Sequence, residues 1–387
     1  MRIVLVAALL AVAACSGSGG KRAPEASPEK PTEAAAPEPP PVVSFTPAAG
    51  ATGVAINAPL QVTIPTGRIV SVRVATGPDD ENPVVGQVDA DGRKWTSADG
   101  TMLALGADYE IAAEVEAKDG SPSTARSTFT TLTPKHKLTA RVSPLNNSTV
   151  GVGHPIALYL SKPVADRAAV ERRLTVTAVP PVTGSWLWVS DSQLRWRPPQ
   201  YWVPQTKVTF KADLAGVDFG DGTWGSESRN INFTIGDSHI SVVDATTYKM
   251  TVTTNGVVER TIPVSLGRAK YPTKSGVHVV LDKERTTIMD SASFGVPAGS
   301  SESYRTKVEW ATRISNSGEF VHSAPWSVRD QGRRHVSHGC VNISPENAKW
   351  FFNYSQLGDV VEVKGTPVQI EGTNGFGDRN VAYPPPV

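Results

Sequence analysis

The residues best suited to covalent chemistry lie near the end of the chain. Apart from Cys15, the only cysteine is Cys340, within His335-Val336-Ser337-His338-Gly339-Cys340-Val341-Asn342. His322 precedes it, in Phe320-Val321-His322-Ser323. A thiolate is the reactive form of cysteine, and a histidine within reach can remove the thiol proton. These residues therefore predict a cysteine nucleophile with His322 as its base, an arrangement suited to acyl transfer through a thioester.

The residues around the cysteine leave several alternatives open. Gly339 lets the backbone approach closely, so the N–H groups of Gly339 and Cys340 can point at a developing oxyanion. Cysteine is often buried and inert, but a Ser-His-Gly-Cys run is polar for a core segment. Zinc binding by Cys340 with His322, His335 or His338 would need an unusually tight His338-x-Cys340 spacing. Another Cys–His enzyme, such as a cysteine peptidase or a sortase-like transpeptidase, fits the same residues.

The elements that must position these side chains are predicted to be mainly strands. Ser344-Pro345-Glu346-Asn347 has the composition of a helix start, with Ser344 as the N-cap, and the helix should continue to Tyr354. Asn255-Gly256 predicts a two-residue hairpin turn. The Ser/Gly-rich segment 290–303 predicts a mobile loop. Strands are predicted at 240–243, 249–253, 257–264, 277–281 and 360–363.

Two β-rich blocks that resemble each other precede this domain. Ser44-Phe45-Thr46-Pro47 has a counterpart in Val142-Ser143-Pro144, which gives a period of about 100 residues. Short strands at this period predict two immunoglobulin-like β-sandwiches, with Trp95 and Trp186 in matching positions. Neither block contains a cysteine or a cluster of polar residues suited to chemistry. The blocks therefore read as spacers or wall-contacting modules.

The N-terminus predicts export. Met1-Arg2 is followed by an apolar stretch, residues 3–14, that is too short to span a bilayer as a helix. Val12-Ala13-Ala14-Cys15 is similar to a bacterial lipobox, in which the cysteine is lipidated; an ordinary signal peptide with an incidental Cys15 is the alternative. The proline-rich segment that follows predicts an extended tether. We expect a protein anchored by lipid to the outer face of the plasma membrane and reaching into the cell wall.

Composition limits the class of protein. With 38 Lys+Arg against 37 Asp+Glu the formal charge is +1, which argues against nucleic-acid binding. Two cysteines cannot form a disulfide scaffold. The 387 residues allow several domains. The predicted boundaries are a signal peptide at 1–15, a linker at 16–41, immunoglobulin-like domains at 42–135 and 136–236, a catalytic domain at 237–364 and a C-terminal extension at 365–387.

The spacing of the catalytic residues resembles that of a known family. His322, fourteen intervening residues and then Ser337-His338-Gly339-Cys340-Val341-Asn342 match the pattern of the L,D-transpeptidases, or YkuD domains. Val264-Ser265-Leu266-Gly267 and Pro272-Thr273-Lys274-Ser275-Gly276 are similar to an early strand and turn of that family. The lipobox, the tether and the two preceding blocks look like those of mycobacterial-type members. The resemblance implies a mostly β fold in which two immunoglobulin-like sandwiches precede a YkuD-type catalytic domain with one or two helices.

The same resemblance implies roles for individual residues. Cys340 would be the nucleophile and His322 the base, with Ser323 orienting the imidazole through its backbone carbonyl. His338 and Gly339, with Cys340, would shape the oxyanion region. The lid reads Ser293-Phe294-Gly295, where relatives often have tyrosine before the glycine. Neither metal nor cofactor is expected. The residues expected to bind substrate are Met289, Phe294, Tyr304, Trp326, Ser337 and Asn342.

The implied reaction joins peptidoglycan stem peptides. Cys340 would attack the third residue of a donor tetrapeptide stem and release D-Ala. An amine of an acceptor stem would then take the acyl group, giving a 3→3 cross-link. Carbapenems would acylate the same thiol. Alternatives are L,D-carboxypeptidase activity, attachment of proteins to peptidoglycan, and a wall-binding protein that does not catalyse.

Overall fold

The computed structural model describes residues 41–294, 296–297 and 299–383. Cys15, the signal segment and nearly all of the predicted tether lie outside these residues, as do the last four residues of the chain. The described part consists mainly of strands and contains two α-helices. The predicted fold class is confirmed. Neither helix is long and apolar enough to cross a membrane.

The first domain is a sandwich of two four-stranded sheets, with strand orders β1-β3-β6-β5 and β2-β8-β7-β4. Strand β7 alternates strictly, and its buried side chains Tyr109, Ile111, Ala113 and Val115 enter the core between the sheets. The strands are β1 (Ser44–Thr46), β2 (Ala51–Val54), β3 (Gln61–Thr63), β4 (Arg68–Ala75), β5 (Gly86–Val88), β6 (Lys94–Ser97), β7 (Asp108–Glu116) and β8 (Pro122–Thr131).

The second domain repeats this arrangement, with sheets ordered β10-β12-β15-β14 and β11-β18-β16-β13 and a small β17-β9 pair. Helix α1 (Arg167–Glu171) is capped by the Asp166 side chain. The strands are β9 (His136–Leu138), β10 (Ala140–Ser143), β11 (Thr149–Val150), β12 (Ile156–Leu160), β13 (Leu174–Val179), β14 (Ser185–Ser190), β15 (Gln193–Arg197), β16 (Lys207–Ala212), β17 (Thr223–Gly225) and β18 (Arg229–Ile235).

The predicted match between Trp95 and Trp186 is wrong. Trp95 lies in β6, and the corresponding strand of the second sandwich is β15, whereas Trp186 lies in β14. The indole of Trp95 fills the space beside Gly86, where an added Cβ would lie 2.2 Å from the ring. Trp196 does the same beside Gly184, also at 2.2 Å. The glycine that admits the indole, and not the spacing of tryptophans along the chain, identifies the equivalent residue.

The third domain has a five-stranded sheet, β21-β20-β19-β27-β22, and a four-stranded sheet, β23-β24-β25-β26. Three 3₁₀ turns lie at Ser291–Phe294, Pro325–Ser327 and Gly377–Asn380. The regular elements are β19 (His239–Asp244), β20 (Lys249–Thr254), β21 (Val257–Pro263), β22 (Gly276–Val279), β23 (Asp282–Asp290), β24 (Arg305–Arg313), β25 (Phe320–Ser323), β26 (Val341–Ile343), α2 (Pro345–Tyr354) and β27 (Val360–Lys364).

Local sequence signals in this domain hold in the structure. Asn255 and Gly256 have φ of 48° and 83°, as a primed hairpin turn between β20 and β21 requires. The Ser344 hydroxyl accepts a hydrogen bond from the Asn347 N–H at 3.3 Å, which caps α2. The predicted strand 277–281 ends earlier in the structure, at Val279, and the Leu281 N–H donates instead to the Arg313 carbonyl at the end of β24.

The second and third domains meet in a close backbone contact. The Gly151 N–H donates to the Leu357 carbonyl at 2.8 Å, and the Gly153 N–H to the Gly358 carbonyl at 2.9 Å. An added Cβ on Gly151 would lie 2.3 Å from the Asp359 nitrogen, so this approach requires glycine. Apolar side chains of the third domain also pack against the core of the second sandwich. The two domains therefore share a packed interface.

The C-terminal extension runs back across that interface. Asp378 accepts a hydrogen bond from Arg195 at 3.1 Å, and their side chains are 2% and 4% exposed. Arg197 donates to the backbone carbonyls of Asp378 (3.1 Å) and Val381 (3.0 Å). The Asn380 amide pairs with the backbone of Val277 in β22. The extension thus joins the second sandwich to the third domain.

Candidate active site

Two adjacent strands bring the predicted nucleophile and base together. Strands β25 and β26 pair in parallel, so that His322 lies beside Asn342. Cys340 directly precedes β26, on the loop that leads into it. His322 is 2% exposed and Cys340 is 8% exposed. The sheet therefore fixes both side chains at one edge of the domain.

A cavity of about 300 Å³ opens over this edge. Most of the residues predicted for the site line it, together with three that the sequence did not indicate, Thr306, Val308 and Val336. Ser323 and Gly339 adjoin lining residues, and the side chain of Phe294 lies outside what the structure describes. The lining residues are Met289, Tyr304, Thr306, Val308, His322, Trp326, Val336, Ser337, His338, Cys340 and Asn342.

The thiol is held in its protonated form. Cys340 Sγ donates to the Gly318 carbonyl at 3.6 Å. Burial raises the pKa of Cys340 to about 12, and the negative charge of Glu319 adds to this. The Phe320 N–H and Arg313 act in the opposite direction. At neutral pH the resting group is therefore a thiol and not a thiolate.

His322 is oriented to receive a proton. Its Nδ1 lies 2.8 Å from the Ser323 carbonyl, which only accepts, so Nδ1 carries the hydrogen and Nε2 carries the lone pair. Burial lowers the pKa of His322 to about 4, whereas hydrogen bonds to Ser323 and Asn342 favour the charged ring. The Asn342 amide is itself held by Ser327 Oγ at 3.1 Å. The site thus pairs a neutral thiol with a neutral imidazole.

The loop before the nucleophile is braced by one serine. Ser337 Oγ donates to the Cys340 carbonyl at 2.7 Å and accepts from the Gly339 N–H at 3.1 Å. Gly339 has a φ of 125°, a conformation that strains any residue with a side chain. Because the Gly339 amide already has a partner within the loop, its predicted oxyanion role stays a prediction.

His338 is enclosed by aromatic rings and charges. Its ring centroid lies 5.0 Å from that of Tyr271 and 4.9 Å from that of Tyr304. Arg268 donates to His338 Nε2 at 2.7 Å, and Arg268 also pairs with Glu302, which lies shortly before β24. Burial first, then Arg268, lowers the pKa of His338. The sequence motif did not indicate Arg268 or Glu302, because both lie far from it along the chain.

The remaining predicted residues form the walls. Burial, then Cys340 and Asp290, raises the pKa of Tyr304 to about 12, so its hydroxyl keeps its proton and can donate. Trp326 is 54% exposed, with its ring centroid 6.0 Å from that of His322. His335, named above as a possible zinc ligand, bonds to the backbone of Leu266 (3.0 Å) and Ala245 (2.9 Å), which is a structural role.

The zinc alternative required several ligands around Cys340. Within residues 41–294, 296–297 and 299–383, no three His, Cys, Asp or Glu side chains come together in a way that could hold a metal ion.

Comparisons with known proteins agree with this geometry. Residues 51–218 match the bacterial Ig domain family, and residues 238–370 match the L,D-transpeptidase catalytic domain. L,D-transpeptidase 2 of Mycobacterium tuberculosis (strain CDC 1551 / Oshkosh) is 39% identical over 335 residues, which cover 86% of this chain and 81% of the relative. L,D-transpeptidase 1 of M. tuberculosis (strain ATCC 25618 / H37Rv) is 41% identical over 226 residues, which cover 58% of this chain and 84% of that relative.

Solved structures are similar over about 60% of the chain. The LD transpeptidase LdtMt1 in complex with imipenem is 40% identical with a TM-score of 0.53, and the match covers 60% of this chain and 100% of that one. An L,D-transpeptidase from Mycobacterium smegmatis is 33% identical with a TM-score of 0.51, covering 59% and 99%.

Proposed function

The chain belongs to the L,D-transpeptidase family, and from that premise we propose that it joins peptidoglycan stem peptides through a thioester on Cys340. One observation carries the proposal. Cys340 and His322 line one cavity. Because His322 Nδ1 donates its hydrogen to the Ser323 carbonyl, Nε2 is the ring nitrogen that can accept a proton. A thiol and a base oriented by a third group are the minimal parts of nucleophilic catalysis.

In the first half-reaction, the thiol attacks the carbonyl of the third residue of a donor tetrapeptide stem. The S–C bond forms as the thiol proton passes to His322 Nε2. The C–N bond to the terminal D-Ala then breaks, and the departing amine takes that proton from the imidazolium. The Ser323 carbonyl and Asn342 stabilise the transient charge on the ring.

In the second half-reaction, a side-chain amine of an acceptor stem attacks the thioester. His322 removes a proton from the amine, the new amide forms, and the sulfur leaves and is reprotonated. The product is a 3→3 cross-link. Water in place of the amine would give a tripeptide, which is L,D-carboxypeptidase activity at the same site.

The tetrahedral intermediates need hydrogen-bond donors. The protonated Tyr304 hydroxyl, which lines the cavity with Cys340, is one such donor, and the Cys340 N–H is another. His338, kept uncharged between Tyr271 and Tyr304, shapes the wall beside them.

We also propose that carbapenems acylate Cys340. A similar protein has been solved with imipenem bound. The thiol would add to the β-lactam carbonyl, the ring C–N bond would break, and the ring nitrogen would take the proton. For location, we propose a lipid anchor at Cys15 and a proline-rich tether that place the enzyme within reach of the cell wall.

The test incubates the full chain, and a Cys340→Ala variant, with disaccharide-tetrapeptide and measures products by mass spectrometry. A dimer that has lost one D-Ala is expected with the wild type and absent with the variant. Tripeptide alone would mean that hydrolysis replaces transfer. Dimer formation by Cys340→Ala would refute the role of the thiol, and an inert wild type whose Cys340 also resists imipenem would favour a wall-binding protein.

A further inference from the structure

A buried acid that the proposed mechanism does not use lies directly behind the nucleophile. Glu319 is 6% exposed, in the turn that leads into β25. Its Cγ lies 3.9 Å from where a Cβ on Gly339 would be, so the acid and the cysteine loop are in contact. Burying a carboxylate costs free energy unless its oxygens accept hydrogen bonds.

Both carboxylate oxygens have partners. Oε1 accepts from the Lys274 N–H at 3.0 Å, and Oε2 accepts from the Ser317 hydroxyl at 3.0 Å. The Glu319 N–H donates to Ser315 Oγ at 2.9 Å. These bonds close the turn 315–319 on itself. The turn contains Gly318, whose carbonyl is the acceptor for the Cys340 thiol.

The C-terminal extension supports the same turn. Asn374 Nδ2 donates to Ser317 Oγ at 2.8 Å. Asn374 Oδ1 accepts from the N–H groups of Asn316 (2.8 Å) and Ser317 (3.2 Å). Hydrogen bonds therefore run from the extension through Ser317 to Glu319. The peptide bond between Gly318 and Glu319 carries the carbonyl that accepts from the thiol, and its N–H is fixed by Ser315 Oγ.

We propose that Glu319 is a positioning residue that keeps the Cys340 thiol protonated and hydrogen-bonded at rest. Its negative charge opposes the thiolate, and its hydrogen bonds fix the Gly318 carbonyl that accepts the S–H group. A protonated thiol reacts slowly with oxidants and other electrophiles, because the thiolate is the reactive species. Substrate is then attacked only when His322 is there to take the proton. The inference rests on Cys340 as the nucleophile.

Other titratable and charged groups also lie around the thiol and Glu319. Tyr304, His322 and His338 share the cavity with it, and Arg313 acts on it from the end of β24. Behind Glu319 are the Lys274 side chain, which reaches Ser317 Oγ at 3.4 Å, and the buried His278, bonded to the Lys274 carbonyl at 2.9 Å. None of these changes in a Glu319→Gln variant.

The test measures the rate of alkylation of Cys340 by iodoacetamide in the full chain, assigned by peptide mass spectrometry so that Cys15 does not contribute. Glu319→Gln keeps the shape of the side chain and removes its charge. We expect alkylation about threefold to tenfold faster, with the whole rate–pH profile between pH 6.5 and 9 displaced to lower pH. A purely structural role would not displace that profile. The matched control is Glu309→Gln. Glu309 lies in β24 and forms an exposed ion pair with Arg285 of β23, so its loss should leave the alkylation rate unchanged.

Asn374→Ala loosens the turn while the Glu319 charge remains. It should accelerate alkylation in the same direction but less than Glu319→Gln does, and it carries the test if Glu319→Gln fails to fold. Rates equal to wild type in a folded Glu319→Gln protein, or in Asn374→Ala if only that variant folds, would overturn the proposal. Because the readout is chemical alkylation, an inactive enzyme would leave this result interpretable.

Discussion

The pKa values of Cys340 and His322 are both shifted from their ordinary values, in opposite directions. Burial raises the pKa of the thiol to about 12 and lowers the pKa of the imidazole to about 4. A thiolate–imidazolium pair at rest would require the reverse order. In the proposed reaction, the proton therefore moves from sulfur to Nε2 during the attack itself.

This order predicts an unusual pH profile. Neither group changes its protonation between about pH 6 and pH 9, so the rate of Cys340 acylation by imipenem should be nearly flat across that range. Below about pH 5 the rate should fall as His322 takes up a proton and loses its function as a base. Stopped-flow fluorescence would measure it. A tenfold rise for each pH unit between 6 and 9 would show instead that a pre-formed thiolate reacts.

Removing the base should slow acylation strongly. A positioned general base contributes about 10²–10⁴-fold, so His322→Gln should reduce the acylation rate by that factor while leaving the fold intact. An acylation rate equal to that of wild type would remove His322 from the mechanism.

The sequence predicts the site residues that lie within the motif. It does not predict those that contact the motif from distant parts of the chain. Cys340, His322 and Asn342 are close along the chain, and parallel pairing of β25 with β26 places them together. Arg268 and Glu302 approach His338 from separate segments, so no local pattern indicates them. Glu319 does stand directly before the strand that carries His322, but a single acid at a strand start is ordinary, and only its burial marks it.

At the scale of elements, one ion pair connects the first strand of the third domain to the turn that follows α2. His239 in β19 lies 3.0 Å from an oxygen of Asp359, and its ring packs on Tyr354 with centroids 4.4 Å apart. The hydrogen bond to Asp359 raises the pKa of His239, with burial acting against it. Burial raises the pKa of Asp359 as well. We take the imidazolium to be the form that this pair favours, since the hydrogen bond is short and direct.

The sign of the pH dependence follows. The folded-state pKa of His239 lies above its unfolded value of about 6.5, so the added stability is present below about pH 6.5 and is lost as pH rises through the folded value. His239→Gln should therefore reduce the free energy of unfolding at pH 6 more than at pH 9, measured by urea denaturation. An equal loss at both pH values would contradict the pairing.

The elements themselves were largely predictable, and the exceptions have physical causes. The Asn255-Gly256 turn and the Ser344 cap depend on neighbouring residues alone, so local chemistry suffices. The match between the two sandwiches depends on which tryptophan fills the space beside a glycine, which requires strands distant in sequence. Trp186 was therefore assigned where Trp196 belongs.

At the scale of the whole molecule, the path of the C-terminal extension was beyond sequence reasoning. Its contacts include Arg195 and Arg197, nearly two hundred residues earlier. No periodic pattern marks such a segment. Asp378 nevertheless lies at the centre of the joint between the second and third domains.

Breaking this joint should be costly. Asp378→Ala would leave Arg195 buried without its partner, a change that typically costs about 3–5 kcal/mol. We expect a lower midpoint in thermal or urea unfolding. Asp191→Ala, which removes the partner of Arg167 from an exposed pair in the same sandwich, should cost at most about 1 kcal/mol. Equal midpoints for the two variants would show that the joint does not depend on Asp378.

The glycine contact between Gly151 and the Gly358–Asp359 turn also limits how such proteins can diversify. A side chain at position 151 would collide with backbone, so that face can change only if the opposing turn changes with it. A gene fusion that exchanged the third domain alone would bring together a second sandwich and a third domain whose contacting surfaces do not fit each other. The unit that recombination can move intact is thus the second sandwich, the third domain and the extension together, and exchange of partners should be seen at its outer ends and not within it.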